Sequence, residues 1–303
     1  MNFGVPGPIH SDEYREKQWA ALSSLIAAVG LTSFKIVVGM VTGSLGILAE
    51  AAHSGLDMVA AILTLFAVRI SGRPADHNHL YGHGKVENLS ALAETFLLLM
   101  TCGWIVWEAI ERLRFHKTAI EVTWWSFAAL LTSIVVDFSR SRILSRTAKK
   151  YHSQALEADA LHFETDVWTS AVVILGLICV KASQWYPQLA FLRNGDAVAA
   201  LGVSVLVVWV SWRLGSRTVD GLLDSAPPGM EERIAAAVAA VPGVQNCHNI
   251  RLRYSGPVLF IDLHVLVDGQ QTLFEAHRLT ETIENVIQEI APKADVTVHP
   301  EPY

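Results

Sequence analysis

Residues 48–57 read LAEAAHSGLD, and residues 158–168, far downstream, read ADALHFETDVW. Each stretch places a histidine four positions before an aspartate: His53 and Asp57, then His162 and Asp166. On a helix, residues four apart share a face, so each pair presents an imidazole beside a carboxylate. Two such pairs brought together have the ligand types and number of a tetrahedral site for zinc or a similar divalent metal. Both lie in long apolar segments, where an ionisable group costs roughly 2.5–3.5 kcal/mol on insertion scales and so marks a functional site. Neither segment has a Lys or Arg level with its pair to neutralise it. The expectation is a membrane protein that moves a metal ion.

The rest of the chain fits that frame. Of its 303 residues, 51% are hydrophobic and only 17% charged, which suits several membrane spans with a soluble part. Six apolar segments, at approximately 19–41, 45–70, 88–111, 121–143, 161–183 and 195–215, each reach the ~20 residues of a spanning helix. Basic residues gather in the second-to-third connection (Arg69, Arg73, Lys85) and the fourth-to-fifth (Arg140, Arg142, Arg146, Lys149, Lys150). Arg112, Arg114 and Lys117 dissent, yet the positive-inside rule places both termini in the cytosol. Residues 1–18 are polar without a signal-peptide pattern and read as a short cytosolic tail. The net charge of −6 argues against nucleic acid as a partner. Cys102, Cys179 and Cys247 are scattered without CxxC spacing, so no thiolate site or disulfide framework is expected.

At SAPPGMEER (225–233) the character changes from apolar to soluble. A helix is expected over 228–240, strands over 249–254 and 258–267 around Ser255-Gly256-Pro257, a helix over 273–290, and a last strand over 296–299. That α-β-β-α-β order describes a small ferredoxin-like α+β domain, for which dimerisation or metal would be a stabiliser. The fold class is thus an α-helical membrane protein with six transmembrane helices and a metallochaperone-like cytosolic C-terminal domain. Its parts are a tail (1–18), a six-helix domain (19–217), a hinge (218–228) and the soluble domain (229–303).

Two further clusters carry ligand chemistry. PADHNHLYGHGK (74–85) holds Asp76, His77, His79 and His83, which reads either as a metal-binding tract or as a solvated loop. Gly82 and Gly84 would let its backbone wrap an ion or start the next helix. The soluble domain carries His248, His264, His277, His299 and Glu301, which either converge on a bimetallic site or stay scattered; spacing leaves both open. Glu50 and Asp159, one turn before the two quartet histidines, are candidate approach groups. Glu94 in the third segment is structural or part of a proton path.

Taken jointly, HSGLD, RPADHNHLYGHGKVENL, ADALHFETD, LLDSAPP and VHPEP resemble the cation diffusion facilitator family of six-helix divalent-metal/proton antiporters. The chain is similar to that family's bacterial dimeric zinc- and iron-type exporters. The resemblance implies that His53, Asp57, His162 and Asp166 form the transport site, with His53 where several bacterial relatives have Asp. It implies a loop site at Asp76, His79 and His83, with His77 where an acid is common. It further implies a binuclear site at His248, His264, His277, His299 and Glu301, with Glu301 replacing the usual Asp. Lys85 and Asp224 match an ion pair joining the helix bundle to the soluble domain. The implied protein is a homodimer in the bacterial inner membrane, exchanging zinc for protons without a prosthetic group. Zinc is then both the substrate and a structural or regulatory ligand. Iron, cadmium, cobalt and manganese are the alternative substrates, and a metal-sensing membrane protein the alternative function. The chain has no HExxH pattern, which argues against an intramembrane metal hydrolase.

Overall fold

The computed structural model describes residues 11–43, 45–115, 124–185 and 195–303. The expected tail before Ser11 and the connections holding Lys117 and Arg193 lie outside them. Six long helices come first: α1 (Ser11–Thr42), α2 (Leu45–Ser71), α3 (Val86–Phe115), α4 (Trp124–Tyr151), α5 (Gln154–Trp185) and α6 (Gly195–Leu222). The soluble pattern follows as α7 (Met230–Ala239), β1 (Asn246–Ser255), β2 (Val258–Val267), α8 (Leu273–Ile290) and β3 (Asp295–Pro302). The chain packs as two compact units, one from the described parts of 10–70 and 86–218, the other from 71–85 and 219–303.

Several helices outrun the apolar segments. The described part of α1 begins at Ser11 with Asp12 and Glu13 in its first turn, and Lys17 is buried against Glu87 of α3. Residues 11–18, expected as tail, are therefore helix. α4 runs to Tyr151, with Lys149 and Lys150 in its last turn, where cations suit the helix dipole. The five basic residues expected in a connection thus belong to a helix. α5 then starts at once: His152 adopts a left-handed φ of 51°, and Ser153 Oγ accepts from the Leu156 N–H at 3.4 Å, an N-cap. Among the described residues, three helices are long and apolar enough to cross a membrane: Asp12–Thr42, Glu50–Ser71 and Val86–Glu111.

Small residues let these helices approach. Ala20 and Ala21 of α1, Ala67 of α2, Ala148 of α4, and Ala155 and Ala160 of α5 are buried around Leu144, Leu156 and Phe163. Alanines at such contacts bring backbones close enough for dispersion and short hydrogen bonds to act, the usual adhesive between helices in lipid. One bond spans α4 and α5: Ser141 Oγ donates to the Ala160 carbonyl at 2.9 Å, two residues before His162.

In the second unit the alternation expected of β2 is met: Leu259, Ile261, Leu263, Val265 and Val267 face a core completed by Ile234 and Val238 of α7 and Ile283 and Ile287 of α8. β1 pairs antiparallel with β2, and β3 pairs parallel with β2 after the α8 crossover. α8 starts with a complete capping box, Thr272 with Glu275. The β1–β2 turn relies on Gly256, at φ 60°.

Candidate functional site

α2 and α5 bring the four quartet residues together. His162 Nε2 lies 3.2 Å from Asp57 Oδ1 and 3.5 Å from Asp166 Oδ2, and His53 Nε2 lies 3.8 Å from Asp166 Oδ1. One ligand atom each from His53, Asp57 and Asp166 falls within a mutual 4.8 Å, the reach of a single ion. His162 is 2% exposed and Asp57 7%, so these groups have largely left solvent. Their clustering away from water is the feature that a cation would compensate.

Two cations whose place beside the quartet the sequence did not reveal sit next to them. Each pair's own helix has no matching Lys or Arg, but α1 brings buried Lys35, whose Nζ donates to Ser54 Oγ at 2.8 Å and to Glu50 Oε2 at 3.3 Å. Glu50 is thereby engaged by an ammonium. α4 brings buried Arg140, which donates to Asp137 Oδ1 at 3.2 Å. Asp137 was a visible signal, an acid inside the fourth apolar segment. Arg140 gave a misleading one, since its basic neighbours made it look like loop. Asp159 accepts from Ser24 Oγ at 3.2 Å, and Glu94 accepts from Ser90 Oγ at 3.2 Å and from Thr64 Oγ1. Both acids are completely buried.

The loop residues also gather. Asp76 Oδ1 accepts from the backbone N–H of His79 at 2.7 Å and of Asn78 at 2.9 Å, an Asx-type turn that shapes the tract. Those two backbone donors, His79 first, hold the Asp76 carboxyl below its ordinary range. His79 Nδ1 stands 3.2 Å and His83 Nε2 3.4 Å from Asp76, the rings 4.4 Å apart. The glycines serve more locally than expected. Gly82 takes φ 75° so that its N–H reaches the His79 carbonyl at 3.0 Å, and Gly84 lies against the β1–β2 turn. Lys85 Nζ is 2.8 Å from Asp224 Oδ1, an exposed pair within the second unit.

On the sheet's open face the strand register aligns three histidines. His248 of β1 faces His264 of β2, which faces His299 of β3. Glu301 joins from two residues further along β3, with His264 Nδ1 at 2.7 Å and His248 Nε2 at 3.3 Å. His299 stands 3.8 Å from the same carboxylate. His277 does not join them: it is exposed on α8, 3.7 Å from Glu281. The Glu301 carboxyl is held below its usual range, chiefly by the His264 hydrogen bond and then by the charges of His248 and His264. Glu301 therefore keeps its negative charge further into the acid range than a free carboxylate. A metal held by the histidines here would need them neutral and would expel protons, so its affinity would rise with pH. Zinc added to this cluster is expected to bind less as pH falls. Equilibrium zinc binding to the full chain at stepped pH, with and without Glu301→Ala, checks this.

Comparison with known proteins adds independent findings. The model of the cation efflux transmembrane domain matches residues 21–223, and that of the cation efflux protein cytoplasmic domain matches 226–303. The cation-efflux pump FieF of Yersinia pestis (strain Pestoides F) is 37% identical over 290 residues, covering 93% of this chain and 92% of that one. FieF of Cronobacter sakazakii (strain ATCC BAA-894) is 35% identical over 291 residues, with the same coverages. A solved MamM CTD aligns with 24% of this chain and 94% of its own length, at 28% identity and a TM-score of 0.24.

Proposed function

The chain belongs to the cation efflux family, a family of membrane transporters, and from that premise we propose that it exports zinc from the cytosol in exchange for protons. The observation that carries this reading is the meeting of His53, Asp57, His162 and Asp166 from two helices in a largely buried cluster. Two imidazoles with two carboxylates suit zinc better than manganese or magnesium, which favour all-oxygen sites. The ion trades its water for the quartet on the cytosolic side. Neutral imidazoles are required, so binding releases protons, and reprotonation from an acidic exterior ejects the metal. Rocking of the helices moves the site between the two faces.

The accompanying reading has six spanning helices over 19–217, a hinge over 218–228 and a cytosolic domain over 229–303. Both termini lie in the cytosol, and two copies pair in the bacterial inner membrane. Asp76, His79 and His83 bind metal in the loop. His248, His264, His299 and Glu301 bind it in the soluble domain, and His277, remote within one chain, completes a second ion there.

Reconstitution into vesicles with an imposed pH gradient tests the function. Saturable zinc uptake that stops when the gradient is collapsed is expected. Uptake indifferent to the gradient would remove proton coupling. Binding without transport would make the protein a sensor. Cadmium, ferrous iron, cobalt and manganese in the same assay rank the substrates.

A further inference from the structure

We propose that Arg140 is a positioning residue for cation transport, a permanent guanidinium that orients the α5 half of the quartet and weakens its hold on the ion enough for release. This rests on the reading of His53, Asp57, His162 and Asp166 as the transport site. Arg140 is 4% exposed, its head group enclosed by α1, α4 and α5. Nη1 donates to Asp137 Oδ1 at 3.2 Å. Nε and Nη2 both donate to Ser24 Oγ of α1, at 3.2 and 3.1 Å. Its carbon lies 3.4 Å from the centroid of the Phe163 ring, the neighbour of His162. Ser24 in turn donates to Asp159, one turn before His162. The guanidinium thus grips α5 on both sides of His162: by stacking on Phe163, and through Ser24 on Asp159. A planar fork that stacks and donates at once is what Arg supplies and Lys does not.

Its charge has a second effect. The field of Arg140 reaches Asp166 of the quartet as well as Asp159 and Asp137. Arginine does not lose its proton in proteins, so this field persists through the transport cycle while the imidazoles change state. A fixed positive charge near these three carboxylates opposes a second cation there. It also steadies those carboxylates when the ion has left. A carrier needs both, since an ion bound without such opposition leaves slowly.

The sign of one constant separates this role from packing alone. In vesicles holding the full chain, Arg140→Gln is expected to lower the half-saturating zinc concentration about tenfold, through loss of charge opposition at short range, and to lower the maximal rate. Arg140→Lys, which keeps the charge, is expected to keep native half-saturation at a reduced rate. An unchanged or higher half-saturation in Arg140→Gln, the result of mere misplacement of ligands, overturns the proposal. Should Arg140→Gln fail to reach the membrane, Arg140→Lys decides: native half-saturation supports the role, and raised half-saturation overturns it. Asp57→Ala belongs in the same series. Native transport in that variant would remove the quartet reading itself, whereas a dead Asp57→Ala beside an Arg140→Gln with both constants native would remove only this inference.

Discussion

Asp57→Ala is expected to abolish gradient-driven zinc uptake, with a fall of at least about 100-fold, beyond the 10–100-fold typical of groups that only support a ligand. Asp57 is buried, and its Oδ1 lies 3.2 Å from His162 Nε2, so one substitution removes a carboxylate ligand and strands the imidazole facing it. The three remaining candidates cannot by themselves restore a tetrahedral shell, and a neutral water in the fourth place would not replace the lost negative charge. Asp57→Asn sharpens the test. The amide has the shape and one acceptor of the carboxylate but no charge, and it should transport as poorly as the alanine. Uptake by Asp57→Asn near the native rate would mean that the position serves packing, and that the ion is held elsewhere.

Gly84→Ala should unsettle the second unit. A Cβ there would stand 2.5 Å from both the carbonyl carbon and oxygen of Ser255, and 2.6 Å from the Gly256 nitrogen. All three are backbone atoms in a turn whose geometry is fixed by the β1–β2 ladder and by Gly256 at φ 60°. No side chain can swing aside, so the 71–85 segment must lift off. Lifting it would also break the stacking of Arg253 on Tyr81 at 3.8 Å and the edge contact of Tyr81 with Phe260 at 5.2 Å. A cost of about 3 kcal/mol, the upper end for overpacking, is expected. It would be read as a lower thermal midpoint and faster tryptic cleavage after Arg73 and Lys85. Gly103→Ala is the control, because a Cβ there meets nothing within 4 Å and alanine is the better helix former. Equal midpoints for the two variants would show that the segment is not held against the turn.

The parts of the molecule that local spacing governs were readable in advance. His53 with Asp57, and His162 with Asp166, share a helical face by arithmetic alone, and the alternation of Leu259, Ile261, Leu263 and Val265 identified β2 and its buried side. The β1–β2 turn was visible in Ser255-Gly256-Pro257. What depends on which helix faces which was not. Lys35 and Arg140 come to the quartet from α1 and α4, and no periodicity within α2 or α5 announces them. Arg140 was hidden by its basic neighbours, which have the composition of a loop but extend α4 by favouring its C-terminus. In the soluble domain, five candidate ligands on four elements gave no distances. The strand register gathered His248, His264, His299 and Glu301 and left His277 apart on α8.

Three histidines level with one another across β1, β2 and β3 have a consequence for how the sheet is made. Side chains alternate along a strand, so slipping one strand by a single residue turns its histidine from the open face toward α7 and α8. An ion held by this row would thus bind one pairing of the strands and reject its nearest mispaired relatives. At a free concentration a hundred times its dissociation constant, it would favour that pairing by about 2.7 kcal/mol. In this sense such a cation would proofread the sheet that bound it, and its own supply would set how faithfully new copies are assembled.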